Sequence, residues 1–462
     1  MTDAAVAVIG GGISGLAAAY ELHQQQVPFV LLEKSDRLGG LVGTDCVSGF
    51  TIDTGPDSLL IQKPAAVDLC TELGLSNQLV PTLPPRTAYV VRGGTLRPLP
   101  RASVFGIPTR VGSLLASRLL SWRGKLRMGF DLVTPRRREL TDESVASFFR
   151  RRFGNESVTY LAEPLLAGIH AGDVERLSMH ALFPRLVEAE REHGSVIKAF
   201  RHISTLNSAE PSAEGVFRSL TGGLGTLATA LVDALPISSL HRGSEATGLT
   251  GQGPFTITRI GAPPLTVNEV ICALPAYAVT QLLCTVSTEL SELCGSVPST
   301  SVATVVLAFA RSAVAHPLNG TGFVVPRSEP ALSITAATWI SSKWPVRAPE
   351  GQVLMRGFIG GARAPRALDQ SDDDLLASVH SDLSRLLGIT ANPSLARVYR
   401  WPRANPQLHV GHLDRVAEID RQLETYRGLQ IIGAAFRGVG IPDCVAAGRK
   451  AGRAVAERLR RP

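Results

Sequence analysis

Three glycines near the start of the chain, Gly10, Gly12 and Gly15, follow the apolar run AVAVIG and precede the helix-favouring LAAAYELHQQ. The G-x-G-x-x-G spacing has mechanical meaning in that setting. Gly10 allows a tight turn, Gly12 lets main chain approach a pyrophosphate, and Gly15 lets the helix pack close to the strand. Gly11, Ile13 and Ser14 complete a helix N-terminus whose amides and dipole attract an anion. Glu33 stands eighteen residues past Gly15 at the end of a second apolar run, VPFVLLEK, where a carboxylate can accept from a ribose hydroxyl. These residues predict a bound dinucleotide. At the far end, GAAFRGVGIPD at residues 433–443 again places small residues between a strand and a helix. The amides of Val439, Gly440 and Ile441 are thereby free to meet a second polar edge of a ligand, and Pro442 suits the first turn of the helix. No G-x-S-x-G, H-E-x-x-H or C-x-x-C is present, and the six cysteines are widely spaced. Neither a hydrolase triad, a metal site nor a disulfide framework is expected.

These motifs need a scaffold, and the composition supplies one. The chain has 462 residues, 44% hydrophobic and 19% charged, a balance that supports a sizeable core. Aromatics make up only 5%, too few stacking platforms for single-stranded nucleic acid. The net charge of +7 suits an anionic ligand or an acidic surface. The opening residues lack a basic export signal, and no apolar run approaches the ~18 residues of a membrane span. A cytoplasmic location is expected, with membrane contact at most peripheral. For that contact the candidate is the helical stretch carrying Leu114, Leu115, Leu119 and Trp122 with Arg118, Arg123 and Lys125, for which packing inside a helical domain is the competing role. The arginine triplets at 136–138 and 150–152 read as solvated faces. Along the chain, a β-α-β unit comes first and a mainly helical insertion runs from Thr82 to about His202. Several β runs fill residues 300–360, and a strand, a glycine turn and a helix close the chain. The class is α/β (α+β), a discontinuous Rossmann-like nucleotide domain with a substrate domain inserted.

Residues 33–40, EKSDRLGG, place Glu33, Lys34, Arg37 and Gly40 in a pattern that resembles the ExxxRxGG continuation of FAD-binding oxidases. Further segments extend the likeness: TGPDSLL at 54–60, EPLLAGIHAGD at 163–173, LSMHALFP at 177–184, EAEREHGS at 188–195, NPQLHVGH at 405–412 and FRGVGIPDC at 436–444. Together they resemble the oxygen-dependent porphyrinogen oxidases of haem biosynthesis, a branch of the flavin amine oxidase-like superfamily. TSVATVVLAF at 300–309 and the stretch from GTGFVVPR to WPVRAPEG are most similar to the coproporphyrinogen III oxidases within it.

The resemblance implies an FAD domain (1–81 with the start of the substrate domain, 206–275 and 398–462), a mixed-sheet substrate domain (276–397) and a helical covering domain (82–205). It implies noncovalent FAD on Gly10 to Gly15, Glu33, Lys34, Arg37, Gly40, Leu41, Gly55, Pro56, Asp57, Ser58, Ala246, Trp401, Val439, Gly440 and Ile441. His170 stands where the family carries an aromatic residue, and Ala246 where it often carries valine. The implied reaction is the six-electron oxidation of coproporphyrinogen III to coproporphyrin III. A methylene bridge between two electron-rich pyrroles gives hydride to flavin, and oxygen closes each turn with release of hydrogen peroxide. Protoporphyrinogen IX is the alternative substrate; another amine oxidase-like activity, or a flavin scaffold that hands porphyrin to a ferrochelatase, ranks behind both. Such chemistry asks the protein for orientation and electrostatics more than for acid–base groups. Lys63 is the first candidate to hold a propionate. Arg86, Arg97, Arg101 and Lys343 follow, with solvated surface roles as the competitors. Leu165, Leu166 and Gly168 are expected at an apolar floor or in a core, and His170 at the substrate or buried at a helix end.

Overall fold

The computed structural model describes residues 4–100, 103, 104, 106–108, 111–137, 139, 141–206 and 214–460. Arg101, and Arg138 of the first arginine triplet, lie outside them. The first sheet is built on Ala4–Ile9, flanked in parallel by Phe29–Leu32 and Ala262–Cys272, with Leu240–His241 beyond the former. The long strand Ala262–Cys272 changes partner midway. Its first half pairs antiparallel with Phe255–Arg259, which continues to Ala246–Thr250, and its last residues pair in parallel with Leu429–Ile431. Three distant parts of the chain thus share one sheet, as a discontinuous nucleotide domain requires.

Two helices cover one face of this sheet, Ile13–Gln24 and Ile441–Arg460. They run parallel: a Cβ added to Gly448 would lie 2.3 Å from the Ser14 carbonyl oxygen, one on Gly452 would lie 2.9 Å from that of Ala18, and Arg460 donates to the Gln25 carbonyl. The glycines are needed because the two backbones nearly touch. Both helices therefore begin at the same end of the sheet. Carried along this register, Ile441 projects about six residues, or ~9 Å, beyond the level of Ile13.

The second sheet is mixed, in the order Leu395–Pro406, Ser299–Ala310, Gln352–Gly360, Ala336–Trp339, Gly322–Val324, Ala88–Arg92, Thr95–Pro98. The apolar run Val302 to Ala310 lies in Ser299–Ala310, second from one edge, which is antiparallel to both neighbours. Two of its edges depart from the sequence-based boundaries. Ala88–Arg92 joins Gly322–Val324 in parallel and so belongs to the sheet, not to a helical domain starting at 82. Leu395–Pro406 likewise completes this sheet before the chain returns to the first. The helical domain follows the hairpin Ala88–Arg92 and Thr95–Pro98, and its own core centres on Phe148, Phe149, Phe153, Leu161, Leu166 and Met179. There the triplet at 150–152 is not a solvated face throughout: Arg152 is fully buried, paired with Asp131 and donating to the carbonyls of Thr134 and Gly194.

Candidate active site

Glycine-rich main chain converges at the start of the two parallel helices. Gly10 has φ +106°, and an added Cβ would lie 2.5 Å from the Ala273 carbonyl oxygen. A Cβ on Gly15 would fall 1.9 Å from the Gly10 oxygen. Gly12 is different: nothing lies within 4 Å of the position its Cβ would take, and its φ of −71° is ordinary. Glycine there leaves an open cradle for a ligand to approach main chain. Next to it the second loop folds in. Gly39 donates to the Gly11 carbonyl, and a Cβ on Gly40 would be 3.0 Å from the Gly12 Cα. Gly55 closes on the same loop, where an added Cβ would meet the Leu41 oxygen at 2.2 Å.

Glu33 accepts from the Gly11 amide at 2.8 Å with one oxygen and from Ser35 with the other. Its carbonyl accepts from the Ser244 amide, which brings the Ala246 strand alongside it. Lys34 is exposed beside it. Arg37 donates to the carbonyls of Val42 and Gly40, so it braces the second loop from within instead of reaching out. At the other helix, Gly438 has φ +114°, Cys444 lies against Ser14, and the amide of Gly440 donates to Asp443. Val439, Gly440 and Ile441 thus stand at the projecting helix N-terminus. The Trp401 indole donates to the Thr54 carbonyl at 2.9 Å, which ties the second sheet to this turn. These residues fit a dinucleotide: an open backbone cradle at Gly12, a ribose-level carboxylate, and a second helix N-terminus offset along the ligand.

The TGPDS turn carries more charge than its motif suggested. Asp57 is held by Lys343 at 2.9 Å, by Arg356 at 2.9 Å and by the Trp344 indole. Burial alone would raise its pKa, but the two cations overcome that and hold the carboxyl well below its usual range. Ser58 donates to Asp57 and accepts from Lys343. Asp53 pairs with Arg347 at 3.3 Å, and burial pushes its carboxyl up despite that cation. Lys343 is therefore neither a free rim cation nor a solvated one; it is spent on Asp57. Arg86 is likewise used locally, on Thr82. Arg97 sits half-buried on the edge strand Thr95–Pro98.

On the helical side, a π-helix, Val158–Ala167, with Pro164 inside, leads to the turn at 168–172, a widened geometry often placed at functional sites. Leu166 is fully buried in the helical core, Leu165 is half-buried, and Gly168 is exposed. Glu163 anchors the π-helix to the second sheet through the Arg327 amide and guanidinium, and burial raises its pKa. His170 ends the turn, with its ring edge-on to Phe183 at 5.9 Å and its carbonyl accepting from Gln407. Its Nδ1 is buried without a partner among the described residues. Burial, reinforced by the charge on Lys63, pushes the imidazole down to about 4, so it is neutral at neutral pH. Lys63 binds Asp443 at 2.7 Å.

Sequence reasoning missed Arg356, Arg347, Asp443 and Asp142. Asp142 accepts from Ser178 and from the Gly411 amide, so the HVGH segment is a clip between modules. The one signal for Arg356 was a lone arginine inside an apolar strand pattern. Among the described residues no group of three acidic, histidine or cysteine side chains could hold a metal, and no helix is long and apolar enough to cross a membrane.

Residues 13–456 match the family of flavin containing amine oxidoreductases. The coproporphyrinogen III oxidase of Bacillus subtilis is 37% identical over 96% of both chains, and that of Staphylococcus aureus is 34% identical over 98% of this chain and 99% of its own. The chain belongs to the flavin containing amine oxidoreductases. Among solved structures, a protein from Exiguobacterium sp. 255-15, provisionally named a protoporphyrinogen oxidase, superposes with a TM-score of 0.88 at 32% identity, covering 99% of this chain and all of that one. Membership in this flavin family accounts for a site rich in backbone amides.

Proposed function

We propose that the protein oxidises coproporphyrinogen III to coproporphyrin III with noncovalently held FAD. The observation that supports the reading is the close approach of the Gly12 cradle to the Gly40 and Gly55 loops beside the paired starts of Ile13–Gln24 and Ile441–Arg460, in a chain similar over 96% of its length to a coproporphyrinogen III oxidase. When bound, the flavin supplies the two-electron acceptor. The protein's own part is to bind, orient and shield. Gly11 to Ser14 offer amides to the pyrophosphate, Glu33 receives the ribose, and the amides of Val439 to Ile441 meet the far end. Trp401 walls the same turn. Noncovalent attachment is supported by Cys444, whose thiol is buried and pushed up to about 11, too high for a reactive thiolate.

Lys63 has its charge committed to Asp443, so the propionate grip moves to Arg185, which is exposed and donates to Gln62 beside it at 3.0 Å. His170, neutral, lines the same end without adding charge. Oxygen is the final acceptor in this reading, the cytoplasm its compartment, and a ferrochelatase the recipient of product. Peripheral contact with an anionic membrane face is supported by Leu115, Trp122, Leu126, Phe130 and Val133, all exposed on one segment that also carries Arg118, Arg123 and Lys125. Flotation with phosphatidylglycerol vesicles, abolished in a Trp122→Ser, Phe130→Ser variant, tests that contact.

Porphyrin fluorescence in air, with coproporphyrinogen III and protoporphyrinogen IX in parallel and autoxidation subtracted, tests the function. A tenfold preference for the first, about 1.4 kcal/mol in the transition state, is expected. A reversed preference would make protoporphyrinogen the substrate, the name attached to the Exiguobacterium structure. No rate above autoxidation with either would remove the porphyrinogen reading.

A further inference from the structure

The helix Ile441–Arg460 carries a carboxylate, Asp443, in its first turn. A helix N-terminus has a positive dipole end that favours negative charge nearby, and a carboxylate in the first turn offsets part of that field. The N-terminus of this helix extends beyond that of Ile13–Gln24. Asp443 is locked in place: one oxygen accepts from the Gly440 amide at 3.3 Å, and a Cβ on Gly438 would lie 2.8 Å from its own Cβ. Its neighbour Cys444 lies against Ser14, so the charge stands where the two helix N-termini meet.

One cation answers it. Lys63 reaches across from the segment after the TGPDS turn, 380 residues away in sequence, and places Nζ 2.8 and 2.7 Å from the two Asp443 oxygens. A group that gains negative charge on accepting electrons is stabilised by the amides of residues 439–441 and opposed by an unpaired carboxylate beside them. We propose that Lys63 is an electrostatic positioning residue for the flavin: by neutralising Asp443 it keeps the helix N-terminus positive and sets the reduction potential of the bound cofactor. The inference rests on the flavin reading above, with the redox-active end at the 438–441 turn. It gives Lys63 a role other than holding a substrate carboxylate.

The two roles separate in the flavin potential of the purified holoenzyme, measured by dye equilibration without substrate. Lys63→Met is expected to disfavour the reduced flavin tenfold or more, about 30 mV more negative for a two-electron couple. Asp443→Asn is expected to move the potential the opposite way, the double variant to return towards the parent, and Lys63→Arg to stay near it. An unchanged potential in Lys63→Met with a raised KM for porphyrinogen would overturn the proposal and leave Lys63 a substrate contact. A potential that moves the same way in both single variants would overturn it too, because charge compensation demands opposite signs. A protein that neither carries flavin nor takes it up on reconstitution would instead fail the functional reading itself, before any potential is read.

Discussion

At the glycine-rich end, Gly10, Gly15, Gly39, Gly40 and Gly55 bring main chain against main chain, whereas at the joint between the two sheets Asp53, Asp57, Lys343, Arg347 and Arg356 do the joining with charge. The first depends on the absence of side chains, so nearly any addition is a backbone collision. The second depends on mutual neutralisation in a nearly dry setting, so any single removal strands the remaining charges. The first fails by shape and the second by charge balance, and different experiments reach each.

The largest effect is expected at the charged joint. Asp57→Asn leaves Lys343 and Arg356 facing each other without their shared anion, and urea unfolding is expected to show a loss of about 3–5 kcal/mol. Gly15→Val tests the backbone side. With the Gly10 carbonyl only 1.9 Å from the new Cβ, a loss of about 3 kcal/mol is expected in the same assay, with no flavin retained. A smaller loss than in Gly12→Ala would break the comparison.

Gly12→Ala should separate shape from function. Its φ is ordinary and the Cβ meets nothing, so stability should hold within about 0.5 kcal/mol. Flavin affinity should fall about tenfold, ~1.4 kcal/mol, read as bound flavin absorbance per chain on dilution. Acid sharpens the other side. His170 and His412 are each pushed down to about 4 by burial, helped by Lys63 and Arg415 respectively. Because folding lowers both values, their contribution is intact above the unfolded value of about 6.5 and is lost as pH falls towards 4. The urea midpoint should decline across that window, and His412→Gln should flatten the decline. The smallest effect belongs to Arg366→Ala. Its pair with Asp369 is 90% exposed on the arginine side, so the melting curve should move by less than about 0.5 kcal/mol.

The same contrast explains what could be read from residues alone. Gly10, Gly12, Gly15 and Glu33 act within one β-α-β unit, and their spacing carries the geometry. The parallel setting of the two chain-end helices was half legible, since each end showed a strand, a glycine turn and a helix, but their contact through Gly448 and Gly452 was not. Lys63, Asp57 and Lys343 were visible as charges with no visible partners. Asp443 lies 380 residues from Lys63 and Lys343 lies 286 from Asp57, and nothing local signals such pairings. Ala88–Arg92 forms a local hairpin with Thr95–Pro98, but its place in the second sheet comes from Gly322–Val324, more than 200 residues away, lying beside it. Lys343 stood among the propionate candidates with a solvated surface role as its competitor; its partners in space include Asp57 and Phe217, neither of them near it in sequence.

The contact of the helix Ile13–Gln24 with Ile441–Arg460 has a consequence for biogenesis. More than 400 residues separate the two helices along the chain, so one waits for the other to be made before their shared face can be buried. Until Leu429–Ile431 docks on Ala262–Cys272 and Ile441–Arg460 packs behind it, Ala17 and Ala18 face solvent and the cradle at Gly12 has only one of its two flanking helices.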